Sequence, residues 1–160
     1  MPREVGREPV IWRRTKPLPL DWSARTVVPV TAEQVLRSAR TILLIDFPSR
    51  DVPDALARAG LTVMAQGGPG PQDFFSYEPD GEEVREVRMG GRPTRADLVY
   101  VHRPEDELPS IVAEARDLGA SAVWCENGSD RARQVVEAEG LTYVDAPPIV
   151  EAARARYKDR

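Results

Sequence analysis

The residues of this chain that suit ligand binding are polar and charged side chains that follow apolar segments. An arginine guanidinium pairs with a phosphate and a serine hydroxyl donates to it, whereas an imidazole stacks on a base or donates to it. These residue types therefore suit a small-molecule nucleotide ligand. The candidates for cofactor binding are Pro48, Ser49, Arg50, Gln66, His102, Arg103, Pro104, Asn127 and Gly128.

Two of these groups have structural explanations of equal weight. Arg103 is explained as well by an ion pair with Glu105 or Asp106. The Asn127–Gly128 pair is equally a plain turn in which Asn127 or Ser129 caps the following helix. The sequence leaves both alternatives open.

Catalytic and metal chemistry have no visible signature in this chain. The single histidine, His102, has no serine in a nucleophile-elbow setting, and no H-E-x-x-H or Walker sequence occurs. The single cysteine, Cys125, cannot form an internal disulfide, and Glu126 beside it favours a buried, inert thiol over a reactive one. We predict no catalytic residue and no metal site, and the sequence favours a binding protein over an enzyme.

A repeat of helix, glycine and strand positions the candidates. Gly60, Gly119 and Gly140 each stand between a helical segment and an apolar one, as glycines at helix C-termini do. Residues Thr31–Gln34 have capping-box spacing, and Thr41–Asp46 is typical of a strand buried on both faces. The pattern predicts an α/β fold: a Rossmann-like, doubly wound, mainly parallel sheet of about five strands with helices on both faces. Strands are predicted at 41–46, 61–65, 97–101, 120–125 and 141–144, and helices at 32–40, 52–59, 105–118, 129–139 and 147–157.

The pattern is least regular between the second and third of these strands. Gln66–Pro71 is rich in glycine and proline and is predicted to be a loop, which the aromatic residues of Asp73–Pro79 anchor. Glu83–Arg88 alternates polar and apolar residues, which predicts a short edge strand or a hairpin turned by Gly90–Gly91.

A doubly wound sheet binds its ligand outside the carboxyl ends of the strands, where the strand order reverses. The candidate residues follow predicted strands and are expected to meet there. A conventional NAD site is not expected, because the first turn, Asp46–Asp51, contains no glycine and the second strand ends at Gln66 rather than at an acid.

The first 30 residues differ in composition from the rest. Five prolines exclude a long helix, while Trp12 and Trp22 lie among other apolar residues and predict packing on the body or on a neighbouring subunit. We therefore predict an extended arm at 1–30 and the Rossmann-like domain at 31–160, with a homodimer formed through the arm as one expectation.

Charge and hydropathy exclude several classes of partner. The net charge is −4, and 22 acidic against 14 basic residues follow position 40, so no basic face for nucleic acid is predicted. No apolar run approaches the roughly 18 residues of a membrane span, and the N-terminus does not look like a secretory signal. A cytoplasmic protein with no nucleic-acid or membrane partner is expected.

The chain from about Thr31 to Ala153 resembles the stand-alone coenzyme A (CoA)-binding domain family, which is related to the CoA-binding domain of the succinyl-CoA synthetase α subunit. Residues 103–112 together with Val123 and Trp124 are the most specific part of the resemblance. The stretches that carry it are Thr31–Ile45, Asp97–Val112, Gly119–Gly128 and Ala138–Leu141.

The resemblance implies a Rossmann-like fold that binds CoA, with the pyrophosphate near the first loop and no established reaction. Asp46–Phe47 stands where family members usually have a glycine, and a carboxylate there repels a diphosphate unless Arg50 or a helix amide compensates it. The leading hypothesis is non-catalytic binding of CoA, an acyl-CoA or another nucleotide. The alternative is a degenerate member that has lost the cofactor and serves as an oligomerising or scaffold subunit.

Overall fold

The computed structural model describes residues 30–67 and 73–158. The predicted arm, apart from Val30, and residues 68–71 of the predicted loop lie outside this part of the chain. Its strands are β1 (Thr41–Ile45), β2 (Thr62–Gln66), β3 (Phe74–Asp80), β4 (Glu83–Arg88), β5 (Leu98–Val101), β6 (Ala122–Trp124) and β7 (Thr142–Val144). Its α-helices are α1 (Ala32–Ser38), α2 (Asp51–Arg58), α3 (Leu108–Asp117), α4 (Asp130–Ala138) and α5 (Ile149–Lys158), and a 3-10 turn at Glu105–Glu107 leads into α3.

The described strands form one mainly parallel sheet in the order β4-β3-β2-β1-β5-β6-β7. The five strands from β2 to β7 in this order are parallel, and Leu43 of β1 lies between Met64 of β2 and Val99 of β5. The doubly wound parallel architecture predicted from the sequence is confirmed. The sheet has seven described strands rather than about five, because β3 and β4 add an antiparallel hairpin beside β2.

This hairpin corrects two details of the sequence prediction. The aromatic segment does not merely anchor a loop: Phe74–Asp80 is a strand and is the partner of β4. The hairpin turns at Gly81, which has φ = 69°, and not at Gly90–Gly91. The segment was hard to recognise because its burial does not alternate, with Phe74 and Tyr77 buried three positions apart.

Helices cover both faces of the sheet, as predicted. Ile42 and Leu44 pack with residues of α1, α2 and α5 on one face. Leu43 and Ile45 point the opposite way and pack with residues of α3 and α4. The central strand β1 is therefore buried on both sides, which accounts for its nearly unbroken apolar sequence.

The capping box and the glycines predicted at helix C-termini are confirmed, although the helix bounds differ by one to three residues. The backbone N–H of Thr31 donates to Oε1 of Gln34 at 2.9 Å and its Oγ1 accepts the Gln34 N–H at 3.1 Å, which completes the capping box. Gly60, Gly119 and Gly140 have φ of 96°, 82° and 80°, a conformation that favours glycine. Each of these glycines leads directly into a parallel strand, so the carboxyl ends of these strands share one edge of the sheet.

Asp97 fixes the opposite edge, where β1 and β5 begin. Its Oδ2 accepts the backbone N–H groups of Arg40 at 2.9 Å and Thr41 at 3.1 Å. The hydrogen bond from Arg40 is the largest influence that lowers the pKa of Asp97 below its ordinary value, and the bonds from Thr41 add to it. The register of these two strands places the residues that follow them, Asp46 and His102, side by side.

None of the helices in the described ranges combines the length and the apolar character needed to cross a membrane.

Candidate functional site

The strand order reverses between β1 and β5, so the carboxyl ends of these strands flank the switch point of the sheet. The predicted residues fall into two sets around it. The first-turn set lies beyond β1 and at the last residue of β2, and consists of Pro48, Ser49, Arg50 and Gln66. The crevice set lies beyond β5 and β6 and consists of His102, Arg103, Pro104, Asn127 and Gly128.

The crevice set surrounds one cavity of about 270 Å³, called the crevice below. Five of the nine residues singled out in the sequence therefore come together. The structure adds lining residues that sequence reasoning missed, among them Leu108 and Ala132 in the first turns of α3 and α4. Their position directly after a strand-end loop was the signal that could have found them. The full lining is Val101, His102, Arg103, Pro104, Glu105, Leu108, Cys125, Glu126, Asn127, Gly128 and Ala132.

Arg103 stands on the rim of the crevice and is held by two carboxylates. Its Nε and Nη2 donate to Glu107 at 3.0 and 2.9 Å, and its Nη1 donates to Oδ2 of Asp46 at 3.4 Å. The partner is thus Glu107 rather than the predicted Glu105 or Asp106. Glu107, followed by Asp46, raises the pKa of Arg103, and Arg103 in turn lowers the pKa of Glu107.

Arg50 of the first-turn set serves the packing of α2 against the hairpin. Its Nε donates to Asp54 at 2.8 Å, its Nη2 donates to the carbonyl of Val84 at 2.6 Å, and its guanidinium lies 4.9 Å from the centre of the Tyr77 ring. Arg50, one of the two groups that could have compensated Asp46, therefore does not contact it. Arg103, from the other side of the switch point, makes that contact.

The rest of the first-turn set lies away from the crevice lining. Pro48 and Ser49 are exposed in the turn before α2, and the carbonyl of Ser49 accepts the N–H of Val52 at 3.2 Å. Gln66 is half-buried between Ile45 and Phe74 in the sheet. The structure does not bring these residues together with the crevice set.

Gly128 shapes the wall of the crevice through its contact with Tyr143. A Cβ atom at this position would lie 1.6 Å from the Tyr143 hydroxyl, so only glycine fits. Burial, and then the nearby charge of Asp145, raise the pKa of Tyr143 to about 12. The Ser129 hydroxyl accepts the N–H of Ala132 at 3.1 Å, so Ser129, and not Asn127, caps α4.

Glu126 links the crevice to the opposite face of the sheet. Its carboxylate accepts the hydroxyl of buried Tyr100 at 3.2 Å and the backbone N–H of Ile149 at the start of α5. Burial, and then Glu126, raise the pKa of Tyr100 well above its ordinary value. The sequence offered one signal for this role, an acid directly after the predicted strand at 120–125.

Cys125 is buried in the crevice wall, as predicted, with 7% of its surface exposed. Burial raises the pKa of its thiol to about 11, and Asp145 and Glu105, rather than the adjacent Glu126, add to the shift. Within the described ranges, no three histidine, cysteine or acidic residues are grouped so as to hold a metal ion.

Comparison with known proteins places this architecture in a family. A family model described as a CoA binding domain matches residues 45–153. The chain belongs to the CoA binding domain family. The match starts at the end of β1 and extends into α5, so this CoA binding domain includes the whole carboxyl edge and every residue of the crevice. The resemblance noted in the sequence is thereby confirmed.

One solved structure resembles this CoA binding domain. It is described as the structure of cell-free ID.343 from Thermus thermophilus, and it is 25% identical, with a TM-score of 0.47, over 84% of this chain and 97% of that chain. The search of curated proteins found no match.

Proposed function

We propose that this chain is a non-catalytic binding protein for CoA, an acyl-CoA or a closely related nucleotide, which it holds in the crevice. One observation carries the proposal. The family match spans residues 45–153, and the cavity inside that span is lined by His102, Arg103, Pro104, Asn127 and Gly128.

The size and lining of the crevice support a partial enclosure of such a ligand. A volume of about 270 Å³ lies slightly below the range of cavities that bury a drug-sized molecule. Val101, Leu108 and Ala132 give it an apolar wall, whereas His102 and Asn127 are exposed at its mouth. The crevice therefore suits one moiety of CoA, and the remainder of the ligand extends along the carboxyl edge.

The engagement of the polar groups in the crevice supports binding rather than catalysis. Glu126 is bound to Tyr100 and Ile149, and the Cys125 thiol has a raised pKa. A general base or a thiolate nucleophile needs the opposite environment, with a free acceptor or a lowered thiol pKa.

Calorimetric titration with CoA and acetyl-CoA tests the proposal, with NAD as the ligand that should not bind. Ala132→Met fills the crevice and is expected to weaken CoA binding by about tenfold or more, because the added atoms occupy the ligand volume. Ala155→Met, on the exposed side of α5, is the matched control. Absence of both heat and thermal shift at millimolar CoA, with the protein shown to be folded, would refute the proposal.

A second candidate function is a scaffold or oligomerising subunit that has lost the cofactor. The observation that favours it is the carboxylate of Asp46, which lies at the first turn and contacts Arg103. The arm, which lies outside the described residues, is then the element that joins copies. Light scattering of Trp12→Ala and Trp22→Ala tests this function: a lower oligomer mass supports it, and an unchanged mass together with CoA binding contradicts it.

A further inference from the structure

Asp46 follows β1 at the switch point, in a backbone conformation that residues other than glycine rarely adopt. Its φ is 68°, and aspartate is among the few residues that tolerate this region. In this conformation its Oδ1 accepts the backbone N–H of Phe47 at 2.8 Å. The carboxylate therefore occupies a backbone N–H of its own turn.

The second carboxylate oxygen of Asp46 reaches across the switch point. Its Oδ2 accepts a hydrogen bond from Arg103 at 3.4 Å. Arg103 is the one arginine or lysine among the described residues that line the crevice. The Asp46 side chain thus accepts hydrogen bonds from a backbone N–H of the first turn and from the arginine of the crevice. These are the two kinds of donor that bind a diphosphate in this type of sheet.

The surrounding charges act in the same direction. Glu107 accepts hydrogen bonds from Nε and Nη2 of Arg103, and Glu105 and Glu126 line the crevice itself. The carboxylates around the crevice thus outnumber the guanidinium that they surround. An incoming phosphate would therefore be repelled by net negative charge. Because Arg103 and Asp46 are partly exposed, solvent weakens this repulsion.

We propose that Asp46 is a specificity-determining residue whose carboxylate occupies the place of a ligand phosphate, so that the crevice selects the uncharged part of its ligand and rejects a diphosphate at the first turn. This inference rests on the proposed function, because both concern a ligand bound in the same crevice. The ligand class it names is an uncharged chain of amide and methylene groups or a base, bound without help from phosphate.

The experiment measures binding of three probes by calorimetry: CoA, pantetheine, which lacks phosphate, and inorganic pyrophosphate. The wild-type protein is expected to bind CoA and pantetheine within about threefold of each other, because the diphosphate adds no net attraction. Asp46→Gly removes the carboxylate and accepts the positive φ. It is expected to bind CoA and pyrophosphate about tenfold more tightly or better, with no change for pantetheine.

Two further variants separate the local effect from general effects of charge and folding. Asp46→Asn tolerates the backbone conformation and keeps an acceptor for the Phe47 N–H but loses the charge, so its gain should be smaller than that of Asp46→Gly. Asp117→Asn removes one acidic charge from an exposed position next to Arg116 and should change none of the affinities.

The possible results distinguish this inference from the proposed function. Wild-type protein that binds CoA at least tenfold more tightly than pantetheine overturns the inference and leaves the proposed function intact. Wild-type protein that binds neither of these probes refutes the proposed function. The pyrophosphate titration then tests the inference. The inference is supported if Asp46→Gly binds pyrophosphate more tightly than both wild type and Asp117→Asn do, and it is overturned if Asp46→Gly does not.

Discussion

The two sides of the carboxyl edge use similar residues in different ways. On the β1–β2 side, Arg50 is bound by Asp54, the Val84 carbonyl and the Tyr77 ring, so its cation is part of the packing of the hairpin. On the β5–β6 side, Arg103 stands at the rim of an open crevice and contacts exposed carboxylates. Both side chains are partly exposed, Arg50 at 47% and Arg103 at 41%, so the two sides differ in the partners of the cation and not in its exposure.

The presence of the hairpin accounts for this difference. The strands β3 and β4 extend the sheet beside β2 and bring a backbone carbonyl and an aromatic ring within reach of α2. The β5–β6 side has no such extension over the ends of its strands among the described residues, and a cavity remains there. We therefore expect the ligand to bind on the β5–β6 side.

The largest expected effect comes from closing the open side. Gly128→Ala places a methyl group against the Tyr143 hydroxyl, and overpacking of this severity should lower the free energy of unfolding by about 3 kcal/mol. It should also abolish CoA binding, because Gly128 lines the crevice. Urea unfolding and calorimetry measure the two effects.

The matched control for this variant is Gly91→Ala, at a position where a Cβ atom meets nothing within 4 Å. Its unfolding free energy should stay within about 0.5 kcal/mol of wild type. Equal stabilities of Gly128→Ala and Gly91→Ala would contradict the contact with Tyr143.

The next effect concerns the opposite edge of the sheet, where β1 and β5 begin. Asp97→Ala removes the acceptor of the Arg40 and Thr41 N–H groups and should lower the free energy of unfolding by about 2 kcal/mol at pH 7. Because folding lowers the pKa of Asp97, its contribution is complete above the unfolded value and is lost as the pH falls through the folded pKa. Urea unfolding should therefore show the difference between wild type and Asp97→Ala shrinking below about pH 4. A difference that grows in acid would refute this assignment.

Much of the fold was predictable from sequence because its signals are local. The capping box at Thr31 and the glycines at positions 60, 119 and 140 act within one turn of the chain, and β1 is apolar because it is buried on both faces. The hairpin was only partly predictable. Pairing of β3 with β4 depends on contacts between strands, and the burial of Phe74 and Tyr77 follows no strand period.

The position of the candidate site was also more predictable from sequence than the hydrogen-bond partners of its residues. His102 and Asn127 follow neighbouring parallel strands, and the rule for parallel sheets places such residues at one edge. The partners of Arg50 and Arg103 were not predictable, because an ion pair of a long side chain depends on which elements pack within reach. Arg103, for example, contacts Asp46, 57 positions away in the sequence.

A smaller effect tests the two arginines directly. Arg50→Met loses an ion pair, a hydrogen bond and the contact with the Tyr77 ring, so it should lower the free energy of unfolding by about 1 kcal/mol and leave CoA affinity unchanged. Arg103→Met should change stability by less than about 0.5 kcal/mol. It should weaken CoA binding by about tenfold, because Asp46 and Glu107 then face the ligand uncompensated. The reverse pattern, with Arg50→Met losing affinity, would move the ligand to the first-turn side.

The smallest perturbation uses the thiol of Cys125 as a reporter of the open side. Because the thiol has a pKa of about 11, its alkylation by iodoacetamide should be slow at pH 7. The alkylation rate should rise about tenfold per pH unit until the pH reaches that pKa. Bound acetyl-CoA, which has no free thiol to compete for iodoacetamide, should slow the reaction further, because Cys125 lines the crevice. The matched thiol is Ser49→Cys in a Cys125→Ser background, at an exposed position on the first-turn side, which should react with an ordinary thiol pKa near 8.5. Protection of this second thiol, but not of Cys125, would show that the ligand occupies the first-turn side, since shielding by a bound molecule acts only where that molecule lies.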